Sequence, residues 1–285
     1  MKILITGVNG FAGKVLYKYL SQQHEAAGIY NSGKAMFGNC FKVDLTKEAE
    51  TIQVIGKAGG GSIDAIVHLA SQTANTGNVN DLSVLFNNAA ISKNIALAAR
   101  EYAVKQFVNL SSSSVYPNID GVFHENSSIN PALNSDGIYG LSKYNSEVIL
   151  DYFLSKTEIE ITHLRTAMII GEEMESTRLI PVIENEIVEH NTVTLFGKGE
   201  RLLNLIRVEK LAEYVSFFLS HPSHNIVNIA EECLSVFDLA KRIIVQKGNA
   251  ETKIILKEEG NRSKFILDIQ KLKKIMANSV NHGEK

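Results

Sequence analysis

Lys2-Ile-Leu-Ile-Thr-Gly7-Val-Asn-Gly10-Phe-Ala-Gly13 is the stretch on which the fold turns. The run Lys2–Thr6 reads as a buried strand. Phe11–Gln22 reads as a helix with Phe11, Val15, Leu16, Tyr19 and Leu20 along one side. Three glycines separate the two at GxxGxxG spacing, a variant of the GxGxxG fingerprint of dinucleotide sites. Gly7 permits a tight turn, Gly10 lets the backbone approach a pyrophosphate, and Gly13 lets the helix pack closely on the strand. The phosphates then meet the free N–H groups of the helix N-terminus, alongside Asn9, Phe11 and Ala12. Three glycines in one turn also arise by chance. Their place between a strand and a helix predicts nucleotide binding.

Outward from this unit, short apolar runs alternate with segments of helical period. Glu25–Tyr30 and Asn39–Val43 are expected strands. Thr46 is expected to cap a helix over Lys47–Lys57 that ends at Gly59-Gly60-Gly61. Asp64–Leu69 follows as a strand, the Ala-rich Asp81–Tyr102 as a long helix and Gln106–Leu110 as a strand. Ser142–Lys156 reads as a helix and Glu160–Thr166 as a strand. Strand after strand with helical crossovers predicts a parallel sheet covered on both faces. Beyond Gly171 the rhythm loosens. Helices are expected over Thr177–Glu189 and Val208–Leu219, and strands over Thr192–Phe196, Ile226–Ile229 and Ile254–Lys257. Ser235 and Asp238 form an expected capping box, and a last helix starts from Asp268. This part reads as a smaller α/β lobe over the strand ends, where ligands of such sheets bind.

The 285 residues carry a net charge of −2, so no excess charge draws the chain to nucleic acid or a membrane surface. Its 45% hydrophobic and 21% charged content suits one large core, or a main domain with a smaller one attached. Cys40 and Cys233 stand alone in unrelated contexts, which makes neither a disulfide framework nor a zinc site and suits a reducing compartment. No run approaches the roughly 18 apolar residues of a membrane span, and the first residues lack the apolar stretch of a signal peptide. A soluble, cytoplasmic protein is the expectation.

Two further motifs carry chemistry. Tyr139-Gly-Leu-Ser-Lys143 opens the helix of Ser142–Lys156, and side chains four apart share a helix face. A nearby ammonium, joined by a nicotinamide positive charge, is expected to lower the phenol from its usual range and make Tyr139 a proton donor or acceptor. A plain amphipathic helix would also carry such a pair. Leu110-Ser111-Ser112-Ser113-Ser114-Val115-Tyr116 ends the strand from Gln106, at the edge that faces the ligand crevice. A hydroxyl there can hold a substrate oxygen, or the serines can serve only the turn.

In this order the pieces resemble the extended branch of the short-chain dehydrogenase/reductase family, the nucleotide-sugar epimerases, dehydratases and reductases. The resemblance runs from Met1 to about Gly171, and more loosely to about Lys271. It takes in the glycine turn, Asp44-Leu45, Asp64 before Val67-His68-Leu69-Ala70, Asn88, the serine run, Glu125, Pro131, Tyr139-Gly-x-Ser-Lys143 and Leu164-Arg165. It implies a Rossmann-type doubly wound sheet over 1–171 and a substrate lobe over 172–285, interleaved with the first. Asp44 and Leu45 then flank an adenine, and Leu69, Ala70 and Ser71 line the cofactor path. Asn88 supports the helix of Lys143, and Lys143 also holds the nicotinamide ribose. The family's catalytic Ser or Thr falls on Ser112, with Ser113 as its rival. Read without the resemblance, Asp44 is a turn residue, Asn88 a polar helix residue and His68 a crevice or core histidine. No metal site is expected, because His68 has no neighbours at ligand spacing.

The departures from the family pattern narrow the function. The second strand ends in Ile29-Tyr30-Asn31-Ser32-Gly33-Lys34 without the acid of NAD-selective members, so Asn31, Ser32 and Lys34 favour NADP over NAD. Dehydratases carry Asp-Glu where this chain has Ser113 and Ser114, which argues against dehydration. Leu203 and Asn204 stand where an Arg-Asp pair is common, leaving Arg201, Arg207 and Arg262 as phosphate candidates, with Arg201 and Arg262 preferred. Met168 replaces an Asn common in epimerases, and Leu164–Gly171 is more similar to the deoxysugar 4-keto reductases. The expected activity is reduction of a nucleotide-linked 4-keto-6-deoxy sugar with NADPH or NADH. A 4-epimerase with tightly bound NAD is the alternative, and a non-catalytic NADP-binding sensor or assembly protein is a reading from another class. Family members pair through two long helices, here Asp81–Tyr102 and Ser142–Lys156, which implies a homodimer. Leu85, Ile91, Ile95, Val148 and Tyr152 would serve both the sheet and the partner.

Overall fold

The opening strand, glycine turn and helix form as their sequence dictates. The computed structural model describes residues 1–73, 75 and 77–282. In it β1 (Lys2–Thr6) runs into α1 (Phe11–Leu20). Gly7 adopts the left-handed region, with φ of 77°, and a Cβ on Gly13 would collide with the Gly7 carbonyl. Only glycine satisfies both demands.

The chain continues with β2 (Glu25–Tyr30), β3 (Cys40–Lys42), α2 (Glu48–Gly59), β4 (Ala65–His68) and α3 (Ser83–Glu101). Next come β5 (Gln106–Ser112), β6 (Gly121–Phe123), α4 (Gly137–Leu154), β7 (Glu160–Thr166) and β8 (Met168–Ile170). The last part holds α5 (Leu179–His190), β9 (Thr192–Leu195), β10 (Leu202–Arg207), α6 (Val208–Ser220) and β11 (Asn225–Ile229). It ends with β12 (Glu232–Ser235), α7 (Val236–Lys247), β13 (Lys253–Leu256), β14 (Phe265–Leu267) and α8 (Gln270–His282).

Seven strands form one sheet in the order β11-β7-β5-β4-β1-β2-β3. Every pairing in it is parallel. Alternation along the strands gives the sheet two apolar faces. Ile3, Ile5, Val67 and Val108 pack with Leu16 and Leu20 of α1 and with Leu211, Val215 and Phe218 of α6. Leu4, Ile66, Phe107 and Ile161 pack with Ile55 of α2, Ile95 of α3 and Leu150 of α4. Each fully buried Ile or Leu contributes about 1.5–3 kcal/mol through apolar burial. The strand order reverses at β1 and β4, and a crevice opens beyond their carboxyl ends, the position that doubly wound sheets give to ligands.

α6 joins the α1 layer and β11 becomes an outer strand of the main sheet. The remaining lobe has its own core, including Ile183, Ile187, Val193, Leu195, Leu203, Leu205 and Leu239. Its small sheets are β12-β10-β8, β13-β9 and β14-β6. The capping box at Ser235 forms, with the Asp238 N–H donating to Ser235 Oγ at 3.0 Å. Thr46 does not cap α2 as expected. Its hydroxyl donates to Asp44 Oδ1 at 2.8 Å, and Lys47 takes the cap position without a side-chain bond. α4 begins at Gly137, earlier than the apolar period at Ser142 suggested, so Tyr139 and Lys143 both lie inside it.

Candidate active site

The glycine turn, the end of β2, the end of β4, the serine run and the first turns of α4 converge on one cleft of about 1220 Å³. Gly7, Asn9, Gly10, Phe11, Ala12 and Gly13 line one end. Gly10 caps α1 without a side-chain hydrogen bond, and no acidic residue stands in the first turn. Those N–H groups and the helix dipole suit an anion such as a pyrophosphate. Asn9 Nδ2 donates to the carbonyls of Ser32 at 2.8 Å and Lys34 at 3.0 Å, tying the loop after β2 to the glycine turn.

Asn31, Ser32, Asp44 and Leu45 also line this end. Asp44 accepts the Thr46 N–H at 3.0 Å, and its bonds to Thr46 hold the carboxyl below its usual range. Asn31 and Ser32 stand in the cleft lining, while Lys34 is exposed just outside it. The cradle, the following Asp44-Leu45 corner and the path along Leu69, Ala70 and Ser71 fit a dinucleotide. Beneath that path, Thr6 Oγ1 accepts the N–H groups of Leu69 at 3.2 Å and Ala70 at 3.1 Å. The same hydroxyl lies 2.8 Å from His68 Nδ1. Burial, helped by Lys143, pushes His68 down to about 3, so the ring is neutral. Among the described residues no group of three or more His, Cys, Asp or Glu side chains could hold a metal ion.

The reacting end is made by α4 and the serine run. A Cβ on Gly140 would strike the Ser114 carbonyl, so this glycine lets the first turn of α4 lie against the 3₁₀ turn Ser113–Val115. That contact brings Tyr139 and Lys143 into one cleft with Ser112 and Ser113. Ser112 Oγ accepts the Ser114 N–H at 3.1 Å and keeps its own proton for another oxygen. Asn88 does not line the cleft. It donates to Ser142 Oγ at 2.9 Å and clamps the Gln72 backbone, accepting its N–H at 2.7 Å, as a support for α4.

The electrostatics differ from the sequence expectation. Burial raises the Tyr139 phenol to about 12, and the Asp136 carboxylate adds to the rise, against a Ser71 hydrogen bond and the Arg178 guanidinium. Burial lowers Lys143 to about 8, against the pull of Glu147. Lys143 therefore does not bring the phenol down in this structure. Its own ammonium is disfavoured, and the charge acting on it is Glu147, one turn further along α4.

Glu147 and Arg165 escaped the sequence reading as a pair. Both are 2% exposed and bonded by Nε to Oε1 at 3.0 Å and Nη2 to Oε2 at 2.7 Å. Ser111 donates a short hydrogen bond to the same carboxylate, and Arg165 Nη1 donates to Tyr116 Oη at 2.9 Å. This buried network ties α4 to the ends of β5 and β7. Arg165 was legible as part of a motif, but nothing in the local pattern marked Glu147 as its partner.

On the lobe side, Arg201 is half-buried, lines the cleft and makes no ion pair among the described residues. Arg178 and Asp136 line it too, and neither was expected. Arg262, the other expected phosphate ligand, does not line it: it pairs with Glu258 at 2.7 Å and Glu200 at 3.9 Å on the exterior. Arg207 is likewise taken by Glu231. Asn204 binds the Leu267 N–H at 2.9 Å and so holds β14.

Fold and cleft together define the class: the chain is of the extended short-chain dehydrogenase/reductase type, a Rossmann-type sheet with a Tyr/Lys pair in the same cleft as the glycine turn. Its sequence matches the profile of the NAD dependent epimerase/dehydratase family over residues 3–230, and the chain belongs to that family. It is 25% identical over 270 residues to the dTDP-D-glucose 4,6-dehydratase of Dictyostelium discoideum, covering 85% of this chain and 61% of that relative. The chain thus spans less than two thirds of that relative's length.

Among solved structures, the UDP-N-acetylglucosamine 4-epimerase of Methanobrevibacter ruminantium in complex with UDP-N-acetylmuramic acid superposes with a TM-score of 0.82. The two are 21% identical, and the match covers 96% of this chain and 91% of the other. The UDP-glucuronic acid 4-epimerase of Bacillus cereus in complex with UDP-glucuronic acid and NAD gives 0.80 at 20% identity, over 96% and 92%. At these identities the likeness is one of fold.

Proposed function

We propose that this protein reduces a nucleotide-linked 4-keto-6-deoxy sugar, with Tyr139 as the proton donor. One observation carries the reading: Tyr139, Lys143 and Ser112 line the same cleft as the glycine turn. A bound nicotinamide supplies the hydride that reduces the carbonyl carbon. Ser112 holds the carbonyl oxygen, Tyr139 delivers a proton to it, and Lys143 holds the ribose and the charge balance behind the phenol. Arg201 takes the diphosphate of the sugar nucleotide, and Arg178 lines the same cleft. The cofactor is NADP or NAD. Asn31 and Ser32, with no acid at the end of β2, support room for a 2′-phosphate.

A 4-epimerase is the second reading, the activity of the two structural neighbours named above. It uses the same three residues but keeps its cofactor through oxidation and re-reduction. The two readings separate on cofactor. A panel of nucleotide-linked 4-keto sugars should consume NADPH or NADH one for one, whereas interconversion of two nucleotide sugars without added cofactor would install the epimerase instead. Titration calorimetry with NADP and NAD tests the cofactor choice, and a clear preference for NAD would remove the 2′-phosphate reading.

We also infer a homodimer through α3 and α4. Phe86 is 63% and Tyr152 78% exposed, and Leu82 and Val148 extend the apolar stripe. Ile95, expected to serve both sides, is wholly in the monomer core. Light scattering at micromolar concentration should give twice the mass of one chain.

A further inference from the structure

The stretch between β2 and β3 is fastened at its two ends by different means. At the far end Phe37 stacks on Tyr17 of α1 with ring centroids 4.3 Å apart, and Asn39 Nδ2 donates to the Ala26 carbonyl at 2.9 Å. At the near end, residues 31–36, no backbone–backbone hydrogen bond forms among the described residues. Asn9 holds that end instead. The Gly7 and Val8 N–H groups donate to the Ile29 carbonyl at 2.8 and 3.2 Å, which sets the glycine turn against the end of β2. From there Asn9 Nδ2 donates to the Ser32 carbonyl at 2.8 Å and the Lys34 carbonyl at 3.0 Å. Between those carbonyls Gly33 takes the left-handed region, with φ of 78°, so the loop wraps around the amide at a residue without a Cβ. Asn9 Oδ1 is buried without a partner, so the two donated bonds alone orient the amide.

A phosphate is bound by donors, and a free carbonyl oxygen beside it offers only an acceptor. Asn9 engages two of the loop's carbonyls. Asn31 and Ser32 meanwhile bring an amide and a hydroxyl to the cleft lining, and β2 ends without a carboxylate. We propose that Asn9 is a positioning residue for cofactor selectivity: by clamping the Ser32 and Lys34 carbonyls it shapes the loop after β2 into a donor-presenting wall for the 2′-phosphate of NADP. It acts through the loop, because its own amide is already committed. The inference deepens the cofactor reading above and rests on it.

The test is a calorimetric titration of the whole chain with NADP and with NAD, which needs no substrate. The readout is the ratio of the two affinities, which a general weakening of the fold would not move. In Asn9→Ala the affinity for NADP should fall about tenfold more than the affinity for NAD. Asn9→Asp, which sets an acceptor against two carbonyls, should shift the ratio at least as far. Gly33→Val reaches the same loop by another route, since a β-branched residue resists a positive φ, and should shift the ratio in the same direction with Asn9 intact. Equal losses for the two cofactors, or no loss, would overturn the proposal, because Asn9 would then only support the turn. A wild type that clearly prefers NAD would remove the 2′-phosphate reading itself, and the proposed role of Asn9 with it.

Discussion

The two ends of the cleft are built in opposite ways. At the cofactor end the groups offered to a ligand are mainly backbone: the glycine turn, the N–H groups of α1 and the strand end held by Thr6. At the reacting end they are side chains, supported by charges buried behind them. A backbone site depends on which positions are glycine. A side-chain site depends on partners brought from distant parts of the chain, so substitution and pH should tell most strongly there.

The largest effect should come from Tyr139→Phe, which removes one hydroxyl and leaves the ring and the cofactor end in place. Turnover is expected to fall by on the order of 10²–10⁴-fold, with cofactor affinity hardly changed in a calorimetric titration. Lys143→Ala should lower both. Equal losses of affinity in the two variants would erase the contrast between the ends.

Behind the reacting end, Glu147→Gln leaves Arg165 buried opposite a neutral amide. Breaking such a pair costs about 3–5 kcal/mol, read as a lower denaturation midpoint in urea. Replacing Glu147 and Arg165 together by Met and Leu should cost less than the single change. A single variant as stable as the wild type would mean that the network contributes little.

The seam between the ends is sensitive to pH. His68 lies at about 3 in the fold against 6.5 when unfolded, so the unfolded chain binds its proton first as pH falls. The stability that His68 contributes is complete above pH 6.5 and is lost progressively down to about 3. The slope in that window is about 1.4 kcal/mol per pH unit. His68→Gln should flatten the fall in unfolding free energy between neutral and mildly acid pH. An unchanged slope would place the proton uptake elsewhere.

The smallest effects sharpen the map. Ser112→Ala should lower turnover by no more than the roughly 0.5–1.5 kcal/mol of one neutral hydrogen bond, because Ser113 lines the same cleft. Lys34→Ala should leave NADP affinity unchanged, and a loss would return Lys34 to the cofactor site.

How much could be read in advance follows the same division. The glycine turn lies in a short stretch whose local pattern states its role, whereas Asp44-Leu45 and Leu69–Ser71 were legible only through the family resemblance; all line the cleft. Tyr139, Lys143 and Ser112 were legible through motif order. Asp136 was not, because its partner Ser114 lies 22 residues earlier and an Asp before a helix reads as a cap. The same holds for Glu147, whose partner Arg165 lies on β7, 18 residues away. Strands β6, β8, β10, β12 and β14 were missed because pairing across the lobe, and not their own period, makes them strands. Arginine alone does not distinguish Arg201 from Arg262. Only the fold shows that Glu258 holds the second outside the cleft.

The central claim is that the cleft carries out a net reduction with Tyr139 supplying the proton, and isotope transfer tests it most directly. A nucleotide-linked 4-keto-6-deoxy sugar is incubated with NADPH or NADH bearing deuterium at the transferable nicotinamide position. The account predicts one deuterium per product molecule, at the carbon that held the ketone, together with one equivalent of oxidised cofactor. A product formed with no cofactor consumed and no label retained beyond a bound trace would contradict it.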